Sequence, residues 1–216
     1  MRGITIGDIH TANDWDLVLN SMIVSPPVPK YVKVSIDGRD GDLNLSRALT
    51  GDLHYNNRPL AFTFTLTGGS QVEREEKLTE IINHLHGTEQ NIILPDDVNY
   101  YFYGECNISE ASNNKAYASF KLDVDAEPYK YSINETKRAI TLSSASKEVM
   151  LSNYGRKKLV PTIDVTGSAT LEFGSTKTTL GAGTYKLLDL QLPNGNTLIK
   201  VSGSGSVTFT YREAVL

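Results

Sequence analysis

Most of the chain alternates apolar and polar residues with a period of two, and this alternation limits the possible fold more than any other sequence feature. Side chains of a strand point alternately to the two faces of a sheet, so such runs are typical of half-buried antiparallel strands. The sequence therefore predicts a mainly β protein. The clearest runs are Val32/Val34/Ile36, Phe62/Phe64/Leu66 and Ala118/Phe120/Leu122/Val124.

One segment has the periodicity of a helix instead. Its apolar positions are spaced at i, i+3, i+4 and i+7, and they are Leu78, Ile81, Ile82 and Leu85. This spacing places them on one helix face. Ser70 and Glu73 match a capping box, which satisfies free amides at a helix start, and Gly87 suits a left-handed C-terminal cap. The sequence predicts a helix over about 71–86.

The alternation pauses after Asp125, in the segment 126–129 that contains Pro128. Strand patterns then resume without a second helical segment. A chain of 216 residues has room for two domains of ordinary size. We therefore predict an N-terminal domain at 1–130, which contains the helix, and a C-terminal domain at 131–216.

The C-terminal part consists of short alternating runs separated by turn-forming residues. Asn194-Gly195 lies between two apolar runs, which predicts a hairpin turn because both residues tolerate positive φ. Gly203-Ser204-Gly205 has the composition of a further turn. Runs of this length and spacing favour a β-sandwich.

Composition argues against two classes of partner. The formal net charge is -4, and the longest basic run is Arg156-Lys157-Lys158, so nothing attracts nucleic acid. No run approaches the roughly 18 apolar residues of a membrane span, and the start of the chain lacks a signal-peptide pattern. We expect no membrane insertion and synthesis in a cytoplasm.

Residue patterns that support catalysis or metal binding are also missing. His84 and His86 are two positions apart on the predicted helix, which places them on different faces, whereas a zinc pair needs i, i+4 spacing. Cys106, the sole cysteine, lies in a strand-like stretch and has the sequence context of a small core residue. The sequence therefore predicts no enzyme, no metal and no cofactor.

One short sequence motif suggests a carbohydrate-binding function. His54-Tyr55-Asn56-Asn57-Arg58 fits the H-x-N-x-R pattern with which galectins hold galactose. Such binding also needs a tryptophan downstream for the sugar face to stack on, and the only tryptophan, Trp15, lies upstream. Carbohydrate binding through His54, Asn56 and Arg58 is therefore the alternative hypothesis, and we expect it to be the weaker one.

The N-terminal segments as a set resemble the short type of the distal tail (Dit) protein family of siphophages and related prophages. The order and spacing of these segments carry the resemblance, and the C-terminal part agrees with it. The matching segments are Ile9-His10-Thr11, Asp14-Trp15, Pro26 to Lys30, Ile36 to Gly41, Leu49-Thr50-Gly51, Tyr55 to Arg58, Phe62-Thr63-Phe64, Asn153-Tyr154-Gly155, Pro161-Thr162-Ile163 and Val207 to Glu213.

This resemblance implies an N-terminal β-sandwich with one helix, which forms a homohexameric ring, and a C-terminal β-sandwich of galectin-like fold. It also implies a place at the distal end of a phage tail, after synthesis in the cytoplasm of a bacterial host. There the ring joins the tail tube protein to the tail-associated, host-adsorption apparatus. The H-x-N-x-R string lies in the ring domain rather than the galectin-like one, which weakens the sugar-binding hypothesis further.

We expect the region 8–60 to form the ring surface. Two of its features have simpler explanations: Asp37 to Gly41 has the composition of a tight turn with positive φ at Gly38 and Gly41, and a lone tryptophan is more often a core residue. The candidate ring or partner contacts are Asp14, Trp15, Lys30, Asp37, Arg39, Asp40, Asn57 and Arg58.

Overall fold

The structure is a computed structural model, which describes residues 2–48 and 50–216. Leu49, part of the Leu49-Thr50-Gly51 match, lies outside the described residues. The chain divides into two compact units, Met1–Lys130 (unit 1) and Tyr131–Leu216 (unit 2). Both are built mainly from antiparallel strands, and the described helix belongs to unit 1, which confirms the predicted fold class.

Unit 1 contains the helix and most of the short strands. Its elements are β1 (Thr5–Ile6), β2 (Ile9–His10), β3 (Val18–Val24), β4 (Lys33–Val34), β5 (Leu43–Asn44), β6 (Arg58–Leu66), α1 (Gln71–Leu85), β7 (Thr88–Leu94), β8 (Asp97–Asn113) and β9 (Ala118–Ala126). Strand β10 (Lys130–Ser132) follows at the division between the units.

The main sheet of unit 1 is antiparallel, with strand order β2-β1-β7-β8-β9-β6-β3. Alternate residues of β6 and β9 point into one hydrophobic core, where Phe64 lies opposite Phe120 and their ring centroids are 5.3 Å apart. The buried face of α1, with Ile81 and Leu85 fully buried, packs in the same core. The predicted period-two runs of β6 and β9 are therefore confirmed as half-buried strands.

Helix α1 begins and ends where its local sequence predicts. The Ser70 side chain accepts a hydrogen bond from the Glu73 amide (3.2 Å), and the Ser70 amide donates to Glu73 Oε2 (2.6 Å). These reciprocal bonds form the expected capping box. At the other end His86 is the C-cap, and Gly87 has a φ of 73°.

Unit 2 forms a second sheet and core. Its elements are β11 (Thr136–Thr141), β12 (Lys147–Asn153), β13 (Thr162–Phe173), β14 (Thr176–Leu180), β15 (Gly183–Lys186), β16 (Gly195–Tyr211) and β17 (Ala214–Val215). The strand order is β11-β16-β13-β14, with β12 on β16 and β15 on β13. Fully buried side chains from β13 and β16, such as Leu171 and Phe209, form the centre of this core.

The predicted turn at Gly203-Ser204-Gly205 is wrong, because these residues lie inside β16. Strand β13 pairs with β16 continuously through this stretch, with Gly167 opposite Gly205. Gly205 has a φ of 87°, and a Cβ there would collide with the Thr166 carbonyl oxygen. Glycine is needed at this position for close strand contact rather than for chain reversal.

The predicted hairpin at Asn194-Gly195 is also wrong. The preceding strand β15 pairs with β13, whereas β16 pairs with β11, β12 and β13. The Asn194 side chain instead donates hydrogen bonds to the carbonyls of Tyr154 (3.2 Å) and Gly155 (3.0 Å). Long-range pairing, which the dipeptide does not encode, decides this connection.

Candidate interaction surface

Residues 25–48 and 50–57, here called the arm, leave the sheet between β3 and β6 as a two-stranded ribbon. The ascending limb runs up to Gly38 and the descending limb starts after Gly41. Backbone hydrogen bonds join the two limbs: the Lys30 amide donates to the His54 carbonyl and the Leu45 amide donates to the Val32 carbonyl, both at 2.8 Å. Strands β4 and β5 pair farther out. Hydrogen bonds between the two limbs therefore hold the arm in its ribbon shape.

The arm carries apolar side chains but contributes to neither hydrophobic core among the described residues. The structure confirms an antiparallel strand in the Val32/Val34/Ile36 run, as β4. The predicted half-burial of this run is wrong, because in the described residues these side chains pack in neither core. Six large apolar side chains are exposed, in these fractions: Val28 60%, Tyr31 60%, Val32 54%, Val34 43%, Ile36 42% and Leu45 38%. Since exposed apolar patches of this kind mark interaction sites, the arm is the candidate interaction surface.

The tip of the arm is a charged turn. Gly38 and Gly41 have φ values of 80° and 72°, which confirms the positive φ expected at both. Asp37, Arg39 and Asp40 are exposed there, and the Arg39 amide donates to the Ile36 carbonyl (3.1 Å). These three candidate contacts are therefore accessible to a partner.

Arg58 anchors the base of the arm from inside unit 1. Its side chain is 7% exposed, its Nε donates to the Ser25 carbonyl (2.8 Å), and its guanidinium lies 4.9 Å from the centre of the Phe102 ring. A longer bond of 3.5 Å reaches the Pro128 carbonyl. Desolvation by burial lowers the pKa of Arg58. The structure thus places this candidate contact in the interior of unit 1, with its guanidinium bonded within the chain.

Trp15 is also a core residue, as the simpler explanation predicts. It is 5% exposed and meets the His84 ring edge to face, with ring centroids 5.6 Å apart. Its neighbour Asp14 is exposed, and Asp14 Oδ2 accepts a hydrogen bond from the His10 amide (2.7 Å). The ring-surface candidates of the region 8–60 therefore divide between the core and the surface.

The remaining candidates lie around a groove of about 490 Å³ at the foot of the arm. Lys30, His54 and Tyr55 line it together with Tyr129, and the two tyrosine rings meet edge to face at 6.1 Å. Asn56 and Asn57 are exposed nearby, and Asn57 Nδ2 donates to Asp125 Oδ2 (3.1 Å). The structure separates buried Arg58 from His54 and Asn56, the other members of the H-x-N-x-R string.

A solved structure shares the fold of this protein over the whole chain. No protein-family model matches the chain, and no curated protein matches it. The crystal structure of the SPP1 Dit protein, described as a paradigm of hub adsorption apparatus in phages that infect Gram-positive bacteria, aligns over 100% of both chains with a TM-score of 0.70. The chain has the distal tail protein fold. Sequence identity is 17%, so the likeness concerns the fold.

Two structures of the phage p2 baseplate in its activated conformation, with Sr and with Ca, are more distant. Their TM-scores are 0.44 and 0.42 at 8% and 9% identity, over 98% and 99% of this chain and 98% of each matched chain. These two similarities are too weak to add to the argument. The resemblance to Dit proteins that the sequence suggested is confirmed at the level of the fold.

Cys106 and His86 both have structural surroundings in this fold. Cys106 is fully buried, and burial raises the pKa of its thiol to about 11, which keeps it protonated. His86 Nδ1 accepts a hydrogen bond from the Ile108 amide (3.0 Å) at the end of α1. In residues 2–48 and 50–216, no group of three or more His, Cys, Asp or Glu side chains is placed to hold a metal ion.

No helix in the described part of the chain is long and apolar enough to cross a membrane. Sequence reasoning missed the exposure of the apolar residues of the arm, notably Tyr31, Val34 and Ile36. Their alternation is the same signal that marks core strands. The turn composition on either side, with Pro26-Pro27 before and Gly38 and Gly41 after, was the available sign that this ribbon leaves the sheet.

Proposed function

We propose that this chain is a structural subunit of a homohexameric ring at the distal end of a phage tail. The observation that carries the proposal is the arm, which holds six exposed large apolar side chains outside both cores of a distal tail fold. An isolated two-stranded ribbon is marginally stable in water, so a neighbouring subunit is the natural surface for it to pack on.

A ring needs two different, mutually complementary patches on each subunit, because a head-to-tail contact repeated by rotation closes on itself. The arm supplies one such patch, with its apolar limb and charged tip. Each Val or Ile side chain that becomes fully buried against a neighbour contributes about 1.5–3 kcal/mol. Several such side chains in every interface stabilise a closed ring.

As a hub, the ring joins the tail tube protein on one face to the tail-associated, host-adsorption proteins on the other. This role requires shaped surfaces and no reaction centre, so we expect no catalytic activity and no cofactor. We propose the virion, at the tail tip, as the place where the protein works, after synthesis in the host cytoplasm.

Mass measurement and negative-stain imaging of the full chain test the proposal. We expect six-subunit rings, alone or on addition of the tail-associated protein. Substituting Val34→Asp and Ile36→Asp together should abolish them, because buried carboxylates without partners oppose association. Val72→Asp is the matched control, since Val72 is 68% exposed on α1, outside the arm. A wild-type chain that stays monomeric even with the tail-associated protein contradicts the proposal.

The alternative, a carbohydrate-binding module, has less support. Arg58, which the H-x-N-x-R pattern requires at the sugar, is buried and bonded to Ser25 and Pro128. A glycan would meet His54 and Asn56 without it. His54 Nε2 lies 2.8 Å from Thr50 Oγ1, an ordinary local contact.

A further inference from the structure

We propose that the open edge of β3 receives the ascending limb of the arm, residues 31–36, from a second copy of this chain. The inference rests on the ring proposed above and names the contact that closes it. Two features of the described part of unit 1 carry the argument: an edge of the main sheet to which no further strand is added, and a two-stranded ribbon that lies outside both hydrophobic cores.

Strand β3 ends the main sheet and pairs, in the described residues, with β6 alone. Natural edge strands are protected by charged residues, proline or short length. Val18–Val24 is seven residues long and contains no Asp, Glu, Lys, Arg or Pro, and Val18 and Ile23 are 40% and 60% exposed. The pairing of β3 with β6 shifts register between Leu19 and Ser21, but the C-terminal half of β3, Ser21–Val24, pairs regularly.

The direction of the free backbone groups of β3 follows from its pairing. The Ser25 amide donates to the Pro59 carbonyl (3.3 Å), and bonded and non-bonded pairs alternate along an antiparallel ladder. Ile23 and Ser21 therefore bond inward to β6, whereas the amides and carbonyls of Met22 and Val24 point away from the sheet. These outward groups form a template for one more strand.

The ascending limb has the matching property. Val32 bonds inward to the descending limb, through its amide to Ser46 Oγ and through its carbonyl to the Leu45 amide, both 2.8 Å. By the same alternation, the backbone groups of Tyr31 and Lys33 point outward from the ribbon. This limb can therefore donate and accept hydrogen bonds along an edge while its alternate apolar side chains pack on the sheet it joins.

The opposite edge of the sheet, at β2, does not offer a competing docking site for the arm. There β2 has two residues, and its outer side is covered by its own chain, where the His10 amide bonds Asp14 and the Asn13 amide bonds the His10 carbonyl (3.1 Å). The described residues of the arm do not pair with β3 of their own chain, which the arm follows directly through Ser25. When each arm docks on the β3 edge of the next copy, the contact is head to tail, the arrangement that closes rings, whereas two copies that exchanged arms would stop at a dimer.

Cysteine cross-linking of the full-length chain tests this pairing. Ile23→Cys is combined in turn with a cysteine at each position from 31 to 36, and assembled protein is oxidised and separated without reductant. We expect covalent ladders of up to six chains whose yield alternates with a period of two along 31–36. Ile23→Cys with Val72→Cys is the matched control, and native Cys106 is buried and should not react.

Two outcomes separate this inference from the proposed function. If wild-type rings form but no pair cross-links above the control, or if yield does not alternate, the β3 edge is not the docking site and the ring proposal stands. If the wild-type chain never assembles, both fall. Ile23→Lys should also reduce ring formation at least tenfold relative to Val72→Lys, with Trp15 fluorescence confirming that each variant folds.

Discussion

Replacing Arg58 by methionine should destabilise unit 1 and loosen the base of the arm. Methionine keeps most of the apolar stem but removes the guanidinium that bonds the Ser25 carbonyl and lies over Phe102. The substitution is informative because Arg58 was a sequence candidate for both ring contact and sugar binding, and the structure gives it an internal role instead.

The magnitude follows from the two interactions that the substitution removes. A hydrogen bond from a charged donor contributes about 1.5–3 kcal/mol, and a desolvated cation–π interaction adds about 2 kcal/mol. Relief of the desolvation that lowers the pKa of Arg58 offsets part of this loss. We expect a net loss of about 2–4 kcal/mol in the free energy of unfolding of unit 1.

Urea unfolding followed by tryptophan fluorescence measures this loss in the full chain. Trp15 is the only tryptophan and is buried in the core of unit 1, so its emission reports that unit alone. With a slope of about 2 kcal/mol per molar urea, typical for a small domain, the midpoint should fall by roughly 1–2 M. Arg39→Met, in the exposed arm tip, is the control and should change stability by less than about 0.5 kcal/mol.

Equal midpoints for Arg58→Met and Arg39→Met would refute the internal role of Arg58. The result also guides the glycan test: a loss of glycan binding in an Arg58 variant would reflect damage to the fold, so His54→Ala and Asn56→Ala are the appropriate probes. Both residues lie outside the core of unit 1.

Three further predictions concern single groups. Hydrogen bonds to the backbone and side chain of Ser70 lower the pKa of Glu73 because they stabilise its ionised carboxylate, so Glu73→Ala should reduce the melting temperature at neutral pH. The difference in melting temperature from wild type should vanish as the pH falls through the lowered pKa and the carboxylate is protonated. A difference that stays constant with pH would contradict this explanation. Glu105 lies directly opposite Asp125 in the sheet, so Glu105→Thr should raise stability by about 0.2–1 kcal/mol at low salt and by less in high salt, whereas a loss of stability would count against like-charge repulsion. The thiol of Cys106 should resist a colorimetric thiol reagent in the native protein and react once urea unfolds it; rapid native labelling would show that it is not buried.

Local sequence was sufficient where local contacts decide the structure. Helix α1 is the clearest case, because its apolar spacing, its capping box and the glycine after its end all lie within 70–87. The turn at the arm tip follows similarly from Gly38 and Gly41. Such features depend on residues a few positions apart, so the chain specifies them without knowledge of the fold.

Burial was decided by tertiary structure. Val32, Val34 and Ile36 alternate just as Phe62, Phe64 and Leu66 do, yet the first set is exposed and the second is buried. The difference is in the neighbours: β6 lies between β3 and β9 and over the helix-covered core, whereas β4 pairs with β5 in an uncovered ribbon. Period-two alternation shows that a strand has one apolar and one polar face. It does not show which other segment covers the apolar face.

The candidate site shows the same division. The H-x-N-x-R string suggests that Arg58 is a surface residue. Its burial depends on contacts with Phe102 and Pro128, which are distant from it in the sequence. By itself the sequence determined strand and helix periodicity, local caps and the likeness to distal tail proteins. Tertiary structure decided which apolar residues stay exposed, because exposure depends on contacts between segments that sequence spacing does not encode.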